Sequence, residues 1–275
     1  MSSLHKYLVE EVSLTCSATT ATIVRSGIRC TLTDEHNGRP LHRFLSGQLP
    51  YYYRSPEKIA EDFRSRRDAL DMTADLVVKL PRTDKFQQSH CGEILCSLYL
   101  EHVLHLRRLY SKLTLTTAED VNVHKMDAFF VDTKQTPYVY YAVEAKSSVM
   151  PTSSTKKFRG HRYGILRQLI TSLDGYGTWD LRFDLTAIRD NLESTFTPDE
   201  SKVIRNDLVP PGPEHLVHLG MAAVNNSTVT QDDDDYILTT PCSKEFNYRA
   251  LVVADLASLA QQAFATMLSA ERLGL

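Results

Sequence analysis

The sequence predicts an α/β protein, and three stretches carry that expectation. Val139–Ser148 opens with β-branched and aromatic residues suited to a buried strand. Cys91–Leu106 is apolar on nearly every side, as a buried helix is. From Asp255 onward, Leu256, Leu259, Ala260, Ala263, Phe264 and Met267 form one helical stripe. With 275 residues, 42% of them hydrophobic, the chain has enough apolar material for a sizeable core. A net charge of −3 and a pI near 6.4 exclude a generally basic nucleic-acid coat, so any contact with nucleic acid must be local or assisted by a partner. Five cysteines without a C-x-x-C pair suggest neither a disulfide framework nor a zinc cage. No run approaches the ~18 apolar residues of a membrane span, and the opening Met1–Lys6 lacks an apolar signal segment, so the expected location is the cytoplasm.

Taken in order, residues 7–31 alternate loosely and predict one or two strands, followed by a turn over Asp34–Pro40. Ser55, Pro56 and Glu57 mark a helix start that continues through Ile59, Phe63, Leu70 and Ala74 until Leu80-Pro81. Arg64, Arg66 and Arg67 on this helix read first as a solvated face. In the Cys91–Leu106 helix, Glu93 is expected in the first turn, either as a surface capping residue or as a functional acid. His102 and His105 lack the H-E-x-x-H pattern and read as ordinary histidines.

Strands are predicted over Tyr110–Thr116 and Val121–Val131, with Ala118–Asp120 as the turn between them. Asp132–Pro137 then makes a hairpin into the strand of residues 138–147. A helix begins near Ile165, a short one lies near Leu185–Leu192, and His215–Val224 and Tyr248–Val253 are further strands. Asp232–Asp235 lacks the glycine and terminal glutamate of a calcium loop and reads as a flexible acidic loop.

The chemistry gathers at the second hairpin. Glu144 and Lys146 are two apart, which a strand places on one face at the end of an apolar run. Two charges there must pair with each other, a metal or a substrate, because desolvating them alone is too costly. Asp127 lies seventeen positions earlier, within reach across the hairpin. Two carboxylates, a main-chain carbonyl and a substrate phosphate oxygen would suit Mg²⁺, which prefers oxygen ligands and keeps several waters. The basic run Lys156, Lys157, Arg159, Arg162 beyond the strand could guide a phosphate backbone or be solvated charge.

The order helix-Glu, strand-Asp, hairpin, E-x-K, helix resembles the PD-(D/E)xK nuclease superfamily. More narrowly, Gly92-Glu93-Ile94-Leu95, Met126-Asp127-Ala128 and Val143-Glu144-Ala145-Lys146-Ser147-Ser148 resemble the HamA family, nuclease subunits of Hachiman anti-phage defence. Met126 stands where the superfamily's name has proline. The resemblance, which spans about Cys91 to Asn225, implies a restriction-endonuclease-like mixed sheet flanked by helices and puts the core at residues 85–275; residues 1–84 carry no motif of the family and read as an N-terminal α+β extension that contacts a partner or DNA. It implies that Asp127, Glu144 and the Ala145 carbonyl hold Mg²⁺ (or Mn²⁺), that Lys146 serves the attacking water, and that Glu93 is a further acid. Gln168 falls where many members carry a polar helix residue beside the site. The implied activity is endonucleolytic hydrolysis of DNA, and the implied partner is a HamB-like superfamily-2 helicase. The alternative reading is a catalytically silent adaptor that docks on such a helicase.

Overall fold

The computed structural model describes residues 3–17, 25–54, 61, 64, 65, 76, 77, 79–115, 126–149, 164–190, 192 and 196–272. Its strands are β1 (Leu8–Ser13), β2 (Gly27–Leu32), β3 (Glu35–His36), β4 (Arg39–Pro40), β5 (Arg107–Ser111), β6 (Ala128–Asp132), β7 (Val139–Ser148), β8 (Leu216–Asn225) and β9 (Phe246–Val253). Seven of them form one sheet in the order β1-β2-β9-β8-β7-β6-β5. The inner four, β2, β9, β8 and β7, run parallel, while β1, β6 and β5 are each antiparallel to their neighbours. The sheet is therefore mixed, as expected.

Strand alternation feeds two separate cores. Ala128, Phe130, Val143, Ala145, Met221 and Leu251 pack on one face, against helices α1 (Leu41–Gln48), α3 (Asp84–His102) and α9 (Leu256–Arg272). Here α2 is the short Pro50–Tyr53 turn. Phe129, Val131, Tyr140, Ala142, Ala222 and Val252 pack on the other face. There they meet α5 (Gly164–Gly175), α6 (Thr178–Asp190), α7 (Pro198–Asp207) and α8 (Gln231–Thr239), α4 being Lys112–Leu115. Both faces being covered explains why β6 and β7 read as apolar runs without a polar side. Phe129 and Phe130 point opposite ways and are both fully buried, each contributing about 1.5–3 kcal/mol by leaving water.

Three local expectations change. The predicted strand Tyr110–Thr116 is shifted: β5 ends at Ser111 and the chain turns into α4, where the Lys112 amide donates to the Asp127 carbonyl at 2.9 Å. Helix α3 starts seven residues before Cys91, with the Thr83 hydroxyl accepting from the Phe86 amide at 3.5 Å. Glu93 is thus mid-helix, beyond the reach of the N-terminal dipole, and the capping reading fails. Pro198 starts α7, behind the Thr197–Glu200 capping box. α6 fills Thr178–Asp190, longer than the helix predicted near Leu185–Leu192.

The four-aspartate run is likewise the first turn of α8, not a flexible loop. Thr230 and Asp233 form its capping box, and acids suit a helix N-terminus. Asp234 pairs with Arg29 of β2 at 2.5 Å, and the Ser17 amide donates to Asp235 at 2.9 Å. Most of the predicted helix after Ser55, with Arg66 and Arg67, lies outside the described residues. So do the Ala118–Asp120 turn, Val121–Lys125 and the basic run Lys156, Lys157, Arg159 and Arg162.

Further expectations hold, and α1 and α2 are additions to them. The first two strands pair antiparallel, and the Asp34–Pro40 turn is the β3–β4 hairpin, whose Asn37 and Gly38 take positive φ of 49° and 73°. Among the described residues no helix is long and apolar enough to cross a membrane.

Candidate active site

The β6–β7 hairpin places the acids. Its ladder extends one residue beyond β6, because the Asp127 amide donates to the Val143 carbonyl at 3.0 Å. There β6 ends, and the Asp127 carboxylate takes over as acceptor for the next free amide of β7, Ala145, at 2.8 Å. Asp127 is thereby fixed by main chain on both sides, with only 6% of its surface exposed.

Lys146 lies between the two carboxylates. Its ammonium donates to Glu144 Oε1 at 2.5 Å and stands 3.8 Å from Asp127 Oδ2. On the far side of Asp127, Lys112 Nζ lies 3.2 Å from Oδ1. Glu144 is buried, so the hairpin's two carboxylates meet two ammonium groups, Lys146 of β7 and Lys112 of α4, largely out of solvent.

Glu93 reaches the same place from α3. Gly92 makes this possible: a Cβ there would lie 2.3 Å from Ser147 Cβ, so only glycine lets the helix rest this closely on β7. Ser147 Oγ donates to the Gln88 carbonyl at 3.2 Å, and Ser89 Oγ donates to Glu93 Oε1 at 3.4 Å.

Electrostatics follow from this crowding. Burial, then the charge of Asp127, pushes the Glu93 carboxyl up to about 8. The same two causes raise Glu144 to about 7, opposed by Lys146 and by a hydrogen bond from Ser172 of α5. Burial disfavours the Lys146 charge, but Asp127 and Glu144 outweigh it and hold the ammonium well above the usual lysine value. Burial also lowers His90 to about 4, helped by Lys112. Its ring stays neutral, sharing a 2.6 Å hydrogen bond with the Tyr53 hydroxyl.

A cleft of about 570 Å³ opens onto this cluster, lined by Glu93, Asp127, Ala145, Lys146 and Gln168 together with Lys112, His90 and Phe86. Glu144 stands behind Lys146. Of the residues the sequence nominated, Glu93, Asp127, Glu144, Lys146, Ala145 and Gln168 converge. Lys112, His90 and Ser172 were missed, since no motif marks them. Lys112 in particular falls within a segment that reads as strand.

Asp127 and Glu144 are the residues able to hold a hard cation, with the Ala145 carbonyl beside them. Among the described residues no three His, Cys, Asp or Glu side chains form a metal cage. Two carboxylates are hard oxygen donors, the type Mg²⁺ prefers, whereas zinc sites draw mainly on cysteine and histidine.

A family-wide sequence profile, described as HamA, matches residues 13–268 of the chain. No curated protein matches it.

Proposed function

The chain belongs to the HamA family, and from that premise we propose that it is the nuclease effector of an anti-phage defence system, a metal-dependent DNA endonuclease controlled by a partner helicase. Family membership supports the defence role. The observation that carries the chemistry is the meeting of Glu93, Asp127 and Lys146 in one cleft, with Glu144 tied to Lys146.

In this reading Asp127 and Glu144 hold Mg²⁺ or Mn²⁺ with the Ala145 carbonyl. A bound ion of this kind supplies a water of lowered pKa and offsets charge on the phosphate. Lys146, held between the two carboxylates, orients the attacking water and counters negative charge building on the phosphate oxygens. Glu93, raised to about 8, accepts or returns a proton. Lys112 contributes a second ammonium beside Asp127. Gln168 on α5 and the run Lys156, Lys157, Arg159, Arg162 contact the DNA backbone. The chain has no G-x-x-x-x-G-K-[ST] loop, so strand opening falls to a HamB-like superfamily-2 helicase, with residues 1–84 as the candidate contact.

Plasmid and linear DNA incubated with the purified chain and Mg²⁺, with and without the helicase, test this. Cleavage is expected from the wild type and its loss from Asp127→Ala, Glu144→Ala and Lys146→Ala. Variants that still cleave and still protect cells from phage would refute it and favour the silent adaptor. An RNA substrate in parallel fixes the nucleic acid class.

A further inference from the structure

Behind the cleft, a fully buried carboxylate holds the peptide that presents Asp127. Asp184 of α6 has no exposed surface, although buried acids are rare unless they serve a partner. Its Oδ2 accepts the Met126 amide at 3.2 Å and the Tyr176 hydroxyl at 2.9 Å. The Met126 carbonyl is taken from the other side, by the Tyr110 hydroxyl of β5 at 2.9 Å. Both main-chain polar groups of the residue preceding Asp127 are thus gripped by side chains from two different elements.

This arrangement goes beyond what a stable core requires. A buried carboxylate costs several kcal/mol of desolvation, and an apolar side chain would fill the same space without that cost. What an apolar residue could not do is fix the Met126 amide, one residue from the acid that also accepts the Ala145 amide at 2.8 Å. A small rotation of this peptide would swing the Asp127 carboxylate away from Lys146. Tyr140–Asp207 offers a comparison elsewhere in the chain, a tyrosine hydroxyl donating to an aspartate at 2.7 Å.

We infer that Asp184, locked by Tyr176, is a positioning residue that sets the Asp127 carboxylate for cation binding through the Met126 peptide. The inference rests on the proposed metal site. Partners of this outer kind typically change metal affinity or activity by about 10–100-fold when altered.

The test uses the full chain and Mn²⁺ alone as probe, followed by isothermal titration calorimetry well below the melting temperature. Asp184→Asn should weaken Mn²⁺ binding by about 10–100-fold. Tyr176→Phe, which leaves the Asp184–Met126 bond in place, should weaken it less. Asp207→Asn, which removes the charge from a similar tyrosine–aspartate bond away from the site, should leave it unchanged even if the melting temperature falls. Equal Mn²⁺ affinity in wild type, Asp184→Asn and Tyr176→Phe would overturn the inference, as would equal weakening in Asp207→Asn. If Asp184→Asn fails to fold, Tyr176→Phe decides. Wild-type Mn²⁺ binding that Asp127→Asn does not abolish would instead overturn the metal-site reading itself, which separates the two failures.

Discussion

Gly92 rests on Ser147 so closely that a single methyl group between them would bring two carbons to 2.3 Å. Gly92→Ala should therefore push α3 from β7. Overpacking of this kind costs about 1–3 kcal/mol, visible as a lower melting temperature. Because Glu93 is the next residue, DNA cleavage should fall further than the stability loss accounts for. A variant with unchanged melting temperature and activity would show that the helix gives way freely.

Lys112 makes a separate prediction, since nothing in the sequence marks it. Lys112→Met removes the ammonium 3.2 Å from Asp127 Oδ1 while keeping the length of the side chain. Cleavage should drop by about 10²-fold or more if the ammonium stabilises charge in the reaction, as comparable electrostatic groups do. Lys112→Arg should recover part of it. Single-turnover cleavage rates at saturating DNA separate this from weaker binding.

His90 predicts a pH dependence of stability. Its folded value, about 4, lies below the unfolded value of 6.5. Such a group contributes stability that is present above pH 6.5 and is lost as the pH falls through 4. The full shift corresponds to about 3 kcal/mol, at roughly 1.4 kcal/mol per unit. As the pH falls across this window wild type should lose melting temperature relative to His90→Gln, whatever the other groups contribute to both. Glu93 and Glu144 act with the opposite sign: their raised values give stability at low pH that is lost as pH rises through 7 to 8. The comparison must therefore be between profiles, not single melting temperatures.

Metal addition predicts stabilisation. A cation that binds the folded chain at 100 times its dissociation constant adds about 2.7 kcal/mol. Mg²⁺ should raise the melting temperature, a chelator should reverse the change, and Asp127→Asn should abolish it. An identical rise in Asp127→Asn would place the cation elsewhere.

Much of this site was legible because strand geometry is simple. The two-residue spacing of Glu144 and Lys146 and the short turn before Val139 were enough to bring Asp127 alongside. Lys112 and Asp184 were not legible, because each acts through a contact between elements distant in sequence. The start of α3 was hidden for a different reason. Its first turn is polar, so the apolar run that marks the helix begins seven residues late. The acidic run at Asp232 was misread because its meaning depends on Thr230, Ser17 and Arg29, which lie outside the run itself.

The strand order has one further consequence. Six strand spacings of about 4.8 Å separate β1 from β5, placing the two rims of the sheet roughly 29 Å apart. The hairpin that carries Asp127, Glu144 and Lys146 lies beside one rim and the first strand forms the other. A molecule clasping β1 would leave the cleft open to DNA. The sheet thus has a working rim and a handling rim, and a label, tether or second protein fixed to the latter should travel with the chain without obstructing the cleft.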